Sequence, residues 1–336
     1  LRSQAGAQAP GVSGASPSTT GGMRRALGCA LLVATVAAPP LAAQEQARPL
    51  DFSHLPSVYT RTIRPPEPAE QVDWEARVTA LLREQPGDII VTAVGDMIFN
   101  QPISQLAAPE RRQLLRILQE ADIAYGNLEF SLNARPELQR PFYNFRAAPA
   151  FAFELAATGI SLVSMANNHA LDFGPEGLAE CLTALDRASI GHAGAGRTLA
   201  AARAPASARV QSQKTRFGLL AYMRYWPARY RCADPSSPCL ATIDPAEILV
   251  AGADGAVSSV EGPLASDVSA MEDDVVLAKR HHDVVMVSLH NHDRSHHRAY
   301  GIQDTTPAND EIMYRRAVDA GADLVLGSGP HVLRGI

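Results

Sequence analysis

Five apolar runs in this chain each lead directly into a residue that can bind a metal or carry a proton. IIVTAV (89–94) runs into Gly95-Asp96, ADIAYGN (121–127) into Leu128-Glu129, and ISLVSMAN (160–167) into Asn168-His169. DVVMVSL (283–289) runs into His290, and ADLVLGSGP (322–330) into His331. Short β-branched runs separated by helical patterns read as buried parallel strands. In open α/β sheets, ligands gather beyond the carboxyl ends of such strands. The five polar termini are therefore expected to converge, and their residue types point to a metal centre.

The intervening segments support that architecture. Helical patterns near 109–120, 150–158, 175–189, 268–282 and 307–320 alternate with strands at 89–94, 122–126, 160–165, 217–222, 283–289 and 322–327. Such alternation predicts an α/β fold with a largely parallel sheet. A long aromatic and proline-containing stretch interrupts it from about 223 to 266.

The N-terminal part reads differently. Residues 1–22 are rich in Gly, Ser, Ala, Pro and Thr without periodicity, and are expected to form no packed core. Met23-Arg24-Arg25, an apolar run over 26–38 and small residues ending at Ala43 have the pattern of a secretory signal. Cleavage after Ala43 would start the mature, exported chain at Gln44. Residues 44–68 read as a proline-rich linker and 69–87 as a helix ended by Pro86-Gly87. The domain then runs over 88–336. The net charge of −5, with lysine only at 214 and 279, offers no basic footprint for nucleic acid. Cys232 and Cys239 bracket a turn-rich loop and in an oxidising compartment can close a disulfide. Cys181 reads as a buried thiol.

Each candidate residue has a chemical reason. Asn168 is an oxygen donor, and His169 beside it is placed to give a proton to a leaving group. Asp172, three residues on, is placed to orient that imidazole. Asn, Asp and Gly here equally suit a turn that caps the next helix. His290 and His292 lie two apart on a strand and so face one side, where both can meet one ion. His281-His282 read as the end of a helix rather than as ligands.

These same elements carry a resemblance. The chain from Ile89 to Ile336 resembles the CapA-type capsule-synthesis proteins, the poly-γ-glutamate (PGA_cap) family of calcineurin-like metallophosphatases. The matching stretches are Ala93-Val-Gly-Asp96, Asn127-Leu-Glu129, Asn144-Phe-Arg146, Ala166-Asn-Asn-His-Ala-Leu-Asp-Phe-Gly174, Ser288-Leu-His290, Gly321-Ala-Asp-Leu-Val-Leu-Gly327 and Pro330-His331. The resemblance implies a layered α/β/β/α sandwich whose last strands lie beyond Ile336. It implies two divalent ions, Mn, Fe or Zn. Asp96 and His331 would hold one, Glu129 would bridge, and Asn168 and His290 would hold the other. His169 would then be the general acid and Arg146 a clamp for an anionic substrate. The expected substrate is an anionic polymer or a phosphoester, handled within an envelope-associated biosynthesis complex. Three departures stand out. Ile98 occupies a position where metallophosphatases place a histidine, and Ser328 occupies another. Asn291-His292 replaces the usual Trp-Gly, so His292 is a compensating ligand candidate. A non-catalytic, polymer-binding assembly factor with a degenerate metal site is the alternative these departures raise; Tyr222, Tyr225, Trp226 and Tyr230 read equally as its contact surface or as a small core under the long loop.

Overall fold

A computed structural model of the chain describes residues 31–37, 88–99, 103, 109–136, 144–224, 230, 232–251, 257–291 and 308–330. The expected linker, the expected helix at 69–87, Tyr225, Trp226, His292 and His331 lie outside these residues.

In chain order the strands begin with β1 (Leu31–Ala37) and β2 (Asp88–Met97), followed by helix α1 (Pro109–Glu120). Next come β3 (Ile123–Leu128), β4 (Ser131–Leu132), β5 (Arg146–Ala147), α2 (Phe151–Ala157), β6 (Leu162–Ser164) and α3 (Gly174–Arg187). The middle holds β7 (Gly191–Ala193), β8 (Ala195–Gly196), α4 (Leu199–Arg203), β9 (Ala206–Val210) and β10 (Thr215–Arg224). Then follow β11 (Cys239–Leu240), β12 (Pro245–Ala251), β13 (Val257–Pro263), α5 (Ala265–Lys279), β14 (Val284–Asn291), α6 (Ala308–Asp319) and β15 (Leu324–Ser328).

The strands sort into two main sheets, ordered β1-β2-β3-β6-β7 and β15-β14-β10-β9. All neighbours are parallel except the edges β1 and β9. Strand parity explains why two sheets stack. Along β10, Phe217, Leu219, Ala221 and Met223 join one core with Val91, Ile123, Leu162 and Val163 of the first sheet. Leu220 and Tyr222, one residue out of phase, join a second core with Val268, Met271 and Val275 of α5 and Met313 and Ala317 of α6. Alternate side chains of a strand point to opposite faces, so an uninterrupted apolar run signals burial on both. α3 adds Leu178, Cys181, Leu182 and Leu185 to the first core. The result is the α/β/β/α layering that the resemblance implies.

Two further segments form strands. Leu31–Ala37, read as the apolar part of an export signal, runs antiparallel along β2, with Leu31 opposite Val94 and Ala37 opposite Asp88. A β-branched apolar run satisfies its backbone at an open sheet edge, as any strand does. The stretch from 223 to 266, expected to interrupt the regular structure, holds an antiparallel pair, β12 with β13.

Candidate metal centre

Asp96 reaches the space between the sheets through a bulge. β2 pairs with β3 in step from Val91↔Ile123 to Val94↔Gly126, then resumes at Asp96↔Asn127, so Gly95 is an extra residue. Because parity alternates, the extra residue turns Asp96 to the side of Ala93 and Tyr125 rather than away from it. On β14, Val284 and Met286 face the first sheet while Val285, Val287 and Leu289 face the helices. His290 shares the parity of Met286 and therefore points at Asp96. Glu129 follows directly after β3, its N–H donating to Met97 O (3.1 Å).

The three side chains converge. Ligand atoms of Asp96, Glu129 and His290 all lie within 4.8 Å of one another. His290 stands between the carboxylates, with Nδ1 3.8 Å from Asp96 Oδ1 and Nε2 3.9 Å from Glu129 Oε1. His290 and Glu129 are buried at 0% and 1% exposure, so water screens their charges little. Burial first, and then the negative charge of Asp96 and a hydrogen bond to it, push the Glu129 carboxyl up to about 9. Glu129 Oε2 is buried and accepts no hydrogen bond among the described residues. A buried carboxylate oxygen without a donor, beside a second carboxylate and an imidazole, suits a cation.

A chain of side-chain amides surrounds this cluster. His169 N–H donates to Asn167 Oδ1 (3.1 Å). Asn167 Nδ2 donates to Leu128 O (2.8 Å) and Asn127 Oδ1 (3.1 Å). Asn127 Nδ2 donates to Asp96 Oδ1 (2.8 Å) and lies 3.2 Å from His290 Nδ1. Gly329 N–H donates to the other Asp96 oxygen (3.1 Å). Asn168 Oδ1 lies 2.8 Å from His290 Nε2, and Tyr230 OH donates to the Asn168 carbonyl (2.9 Å). The loop following Tyr230 is closed by a Cys232–Cys239 disulfide. Asn127 and Asn167 were visible in the motifs but carried no assigned role. Their pairing partners lie 31 and 40 residues away, a separation no local pattern encodes.

Ser328 is the instructive departure. Its Oγ lies 2.9 Å from His290 Nδ1. Asn168 Oδ1 can only accept, so the Nε2 it faces carries the ring proton, and Nδ1 accepts from the Ser328 hydroxyl and from Asn127 Nδ2. Ile98, by contrast, is 37% exposed beside Asp96 and offers no donor atom.

His169 and Asp172 lie in the turn before α3. Asp172 Oδ2 is 2.7 Å from His169 Nδ1 and also accepts from Phe145 N–H (3.0 Å). The imidazole packs on the Phe145 ring, centroids 4.4 Å apart. With Nδ1 bonded to a carboxylate, Nε2 is the ring atom left for proton transfer. Arg146 is exposed, its guanidinium 5.2 Å above the Phe173 ring and hydrogen-bonded to Arg135 O. The structure thus brings Asp96, Glu129, Asn168 and His290 together and sets His169 and Asp172 on the turn before α3 and Arg146 on β5.

Two stacked sheets carry a carboxylate–imidazole cluster, Asp96, Glu129 and His290, of a kind that could hold a metal ion. The comparisons give the chain's family. The model of the bacterial capsule synthesis protein family PGA_cap matches residues 90–336, and the chain belongs to that family. It is 26% identical to the uncharacterized protein y4sH of Sinorhizobium fredii, over 73% of this chain and 62% of that protein. It is 30% identical to a probable polyglutamine synthesis accessory protein of Mycobacterium tuberculosis, over 62% of this chain and 50% of that one. The PGA biosynthesis protein CapA of Bacillus subtilis is 27% identical over 52% of this chain and 38% of its own length. The matches therefore cover less than two thirds of these relatives.

Proposed function

We propose that this chain is an exported, metal-dependent hydrolase of phosphoester-type bonds, acting in the assembly of an anionic capsule polymer of the poly-γ-glutamate type. The observation that carries the reading is the Asp96–Glu129–His290 cluster, with a buried Glu129 oxygen that accepts no hydrogen bond among the described residues. Asp96, Glu129, His290 and Asn168 would hold divalent ions, with His292 and His331 as further ligands. Mn, Fe or Zn in that donor set would supply Lewis acidity for displacement at phosphorus. The chain's own part is to orient His169 through Asp172 for proton delivery, and to present Arg146 to an anionic group. The names of the Mycobacterium and Bacillus relatives support the polymer context.

Elemental analysis of protein purified without chelator tests this reading, together with turnover of a phosphodiester. About two ions per chain, fewer in Glu129→Gln, with turnover lost in His169→Ala, is the expected result. A folded protein with no tightly bound metal would instead favour a polymer-binding assembly factor, the reading suggested by the exposed apolar Ile98.

A further inference from the structure

At the opposite end of β10 a second cluster of reactive groups has no part in the metal centre. His282 follows α5 and lays its ring on Gly218, where an added Cβ would stand 2.8 Å from the ring Cγ. Its Nδ1 is 2.9 Å from the Ala278 carbonyl. A carbonyl only accepts, so Nδ1 carries the proton and Nε2 of the neutral ring is an acceptor. Ser207 Oγ, 2.8 Å from Nε2, must then donate its proton to the imidazole. The ring is buried, while Ser207 opens on a surface hollow of about 480 Å³ lined also by Ala208, Arg209, Arg216 and His281.

Those neighbours decide what the hollow suits. With its proton committed to His282, Ser207 Oγ turns lone pairs toward a space whose rim carries two guanidinium groups, one of them held by Asp283 at 3.2 Å. A hydroxyl already bonded to a base is the arrangement of an activated nucleophile. Fixed cations beside it favour an electrophile that carries negative oxygens. The ladder sets this place apart from the metal site. Ser207 pairs with Gly218, and His290 pairs with Met223, five residues further along β10 or roughly 17 Å at strand rise.

We propose that Ser207 and His282 form a second reactive site, in which the serine accepts an acyl group from an acyl phosphate. In the step, Ser207 Oγ bonds to the acyl carbon while its proton passes to His282 Nε2. The bond from that carbon to the bridging oxygen breaks, and inorganic phosphate leaves with the electron pair, its charge met by Arg209 and Arg216. This site is independent of the metal-centre reading.

The test treats the full chain with acetyl phosphate and, separately, with a neutral fluorophosphonate, and maps adducts by mass spectrometry. The expected result is an adduct on Ser207 with both reagents, formed about a hundredfold faster than on the exposed Ser212. His282→Gln should remove that advantage for both reagents. Arg209→Gln, a surface change that leaves the fold alone, should slow acetyl phosphate only. Should His282→Gln melt several degrees lower, the Arg209→Gln comparison decides. The proposal is overturned if Ser207 reacts no faster than Ser212, if a folded His282→Gln keeps the advantage, or if Arg209→Gln slows neither reagent or both equally.

Discussion

Tyr125 and Ser288 meet hydroxyl to hydroxyl at 2.6 Å, joining the two sheets across their buried interface. Two residues beyond each lie Asn127 and His290, the pair that links Asp96 to the second sheet. The spacing of the Asp96–Glu129–His290 cluster is thus set by a contact one layer beneath it. Both hydroxyls are enclosed, and burial keeps the phenol protonated well above its ordinary range.

Replacing Tyr125 by Phe should cost about 1 kcal/mol of stability, the usual value of a buried neutral hydrogen bond. It should also weaken metal binding, because β14 loses its fixed distance from β3. Urea unfolding and a metal titration on the same preparation check the two effects. Lost stability with unchanged affinity would show that the sheets keep their spacing without this contact.

The bulge at Gly95 makes a sharper prediction. Gly95 has no neighbour within 4 Å of where a Cβ would stand, so Gly95→Ala should fold and bind metal normally. Deleting Gly95 removes the extra residue between Val94 and Asp96 and turns Asp96 to the other face. The deletion should abolish metal binding while circular dichroism still reports an α/β fold. Equal metal content in both variants would refute the role of the bulge.

How much of this was legible in the sequence follows from which signals are local. The strands leading to Asp96, Glu129, Asn168 and His290 announce themselves by apolar runs, and polarity at their ends points to the site. The division into two sheets is less visible, since β10 and β14 are apolar on both faces whether they lie in one sheet or two. Ser328, a hydrogen-bond partner of His290, looked like a lost ligand, because its contact with His290 spans 38 residues. The pair β12–β13 was missed although Asp254-Gly255, between the two strands, is a turn signal. A turn signal predicts a hairpin only between alternating apolar runs. β13 has Val257 and Val260 three apart, with Ser258, Ser259, Glu261 and Gly262 around them, so its period does not mark a strand.

Glu129 gives a pH signature. Its carboxyl is raised from 4.5 to about 9 in the metal-free fold, so between those values the folded state holds a proton that the unfolded chain has released. Stability from this group therefore falls as pH rises through that window and levels off above about 9. Glu129→Gln, with no proton to lose, should flatten the decline. A cation takes the proton's place, so metal affinity should rise with pH and binding should release protons. Melting curves for both proteins at several pH values, without and with metal, measure this. A wild-type decline no steeper than that of Glu129→Gln would show the carboxyl already ionised in the fold.

His169 and Asp172 make a prediction that separates proton donation from support of the turn. A general acid matters most when the leaving group is a poor one, such as an alkoxide, and little when it is a nitrophenolate that departs unaided. His169→Ala should therefore lower kcat by about 10²–10⁴ on an alkyl phosphoester and much less on a nitrophenyl ester. Asp172→Ala frees the imidazole at Nδ1 and leaves Phe145 N–H without its acceptor, so it should show the same leaving-group pattern with a smaller loss. Because the two residues act as a unit, adding Asp172→Ala to His169→Ala should cost almost nothing further. Equal losses on both esters, or additive losses in the double variant, would make the pair a support for the turn before α3 and not a proton-delivery device.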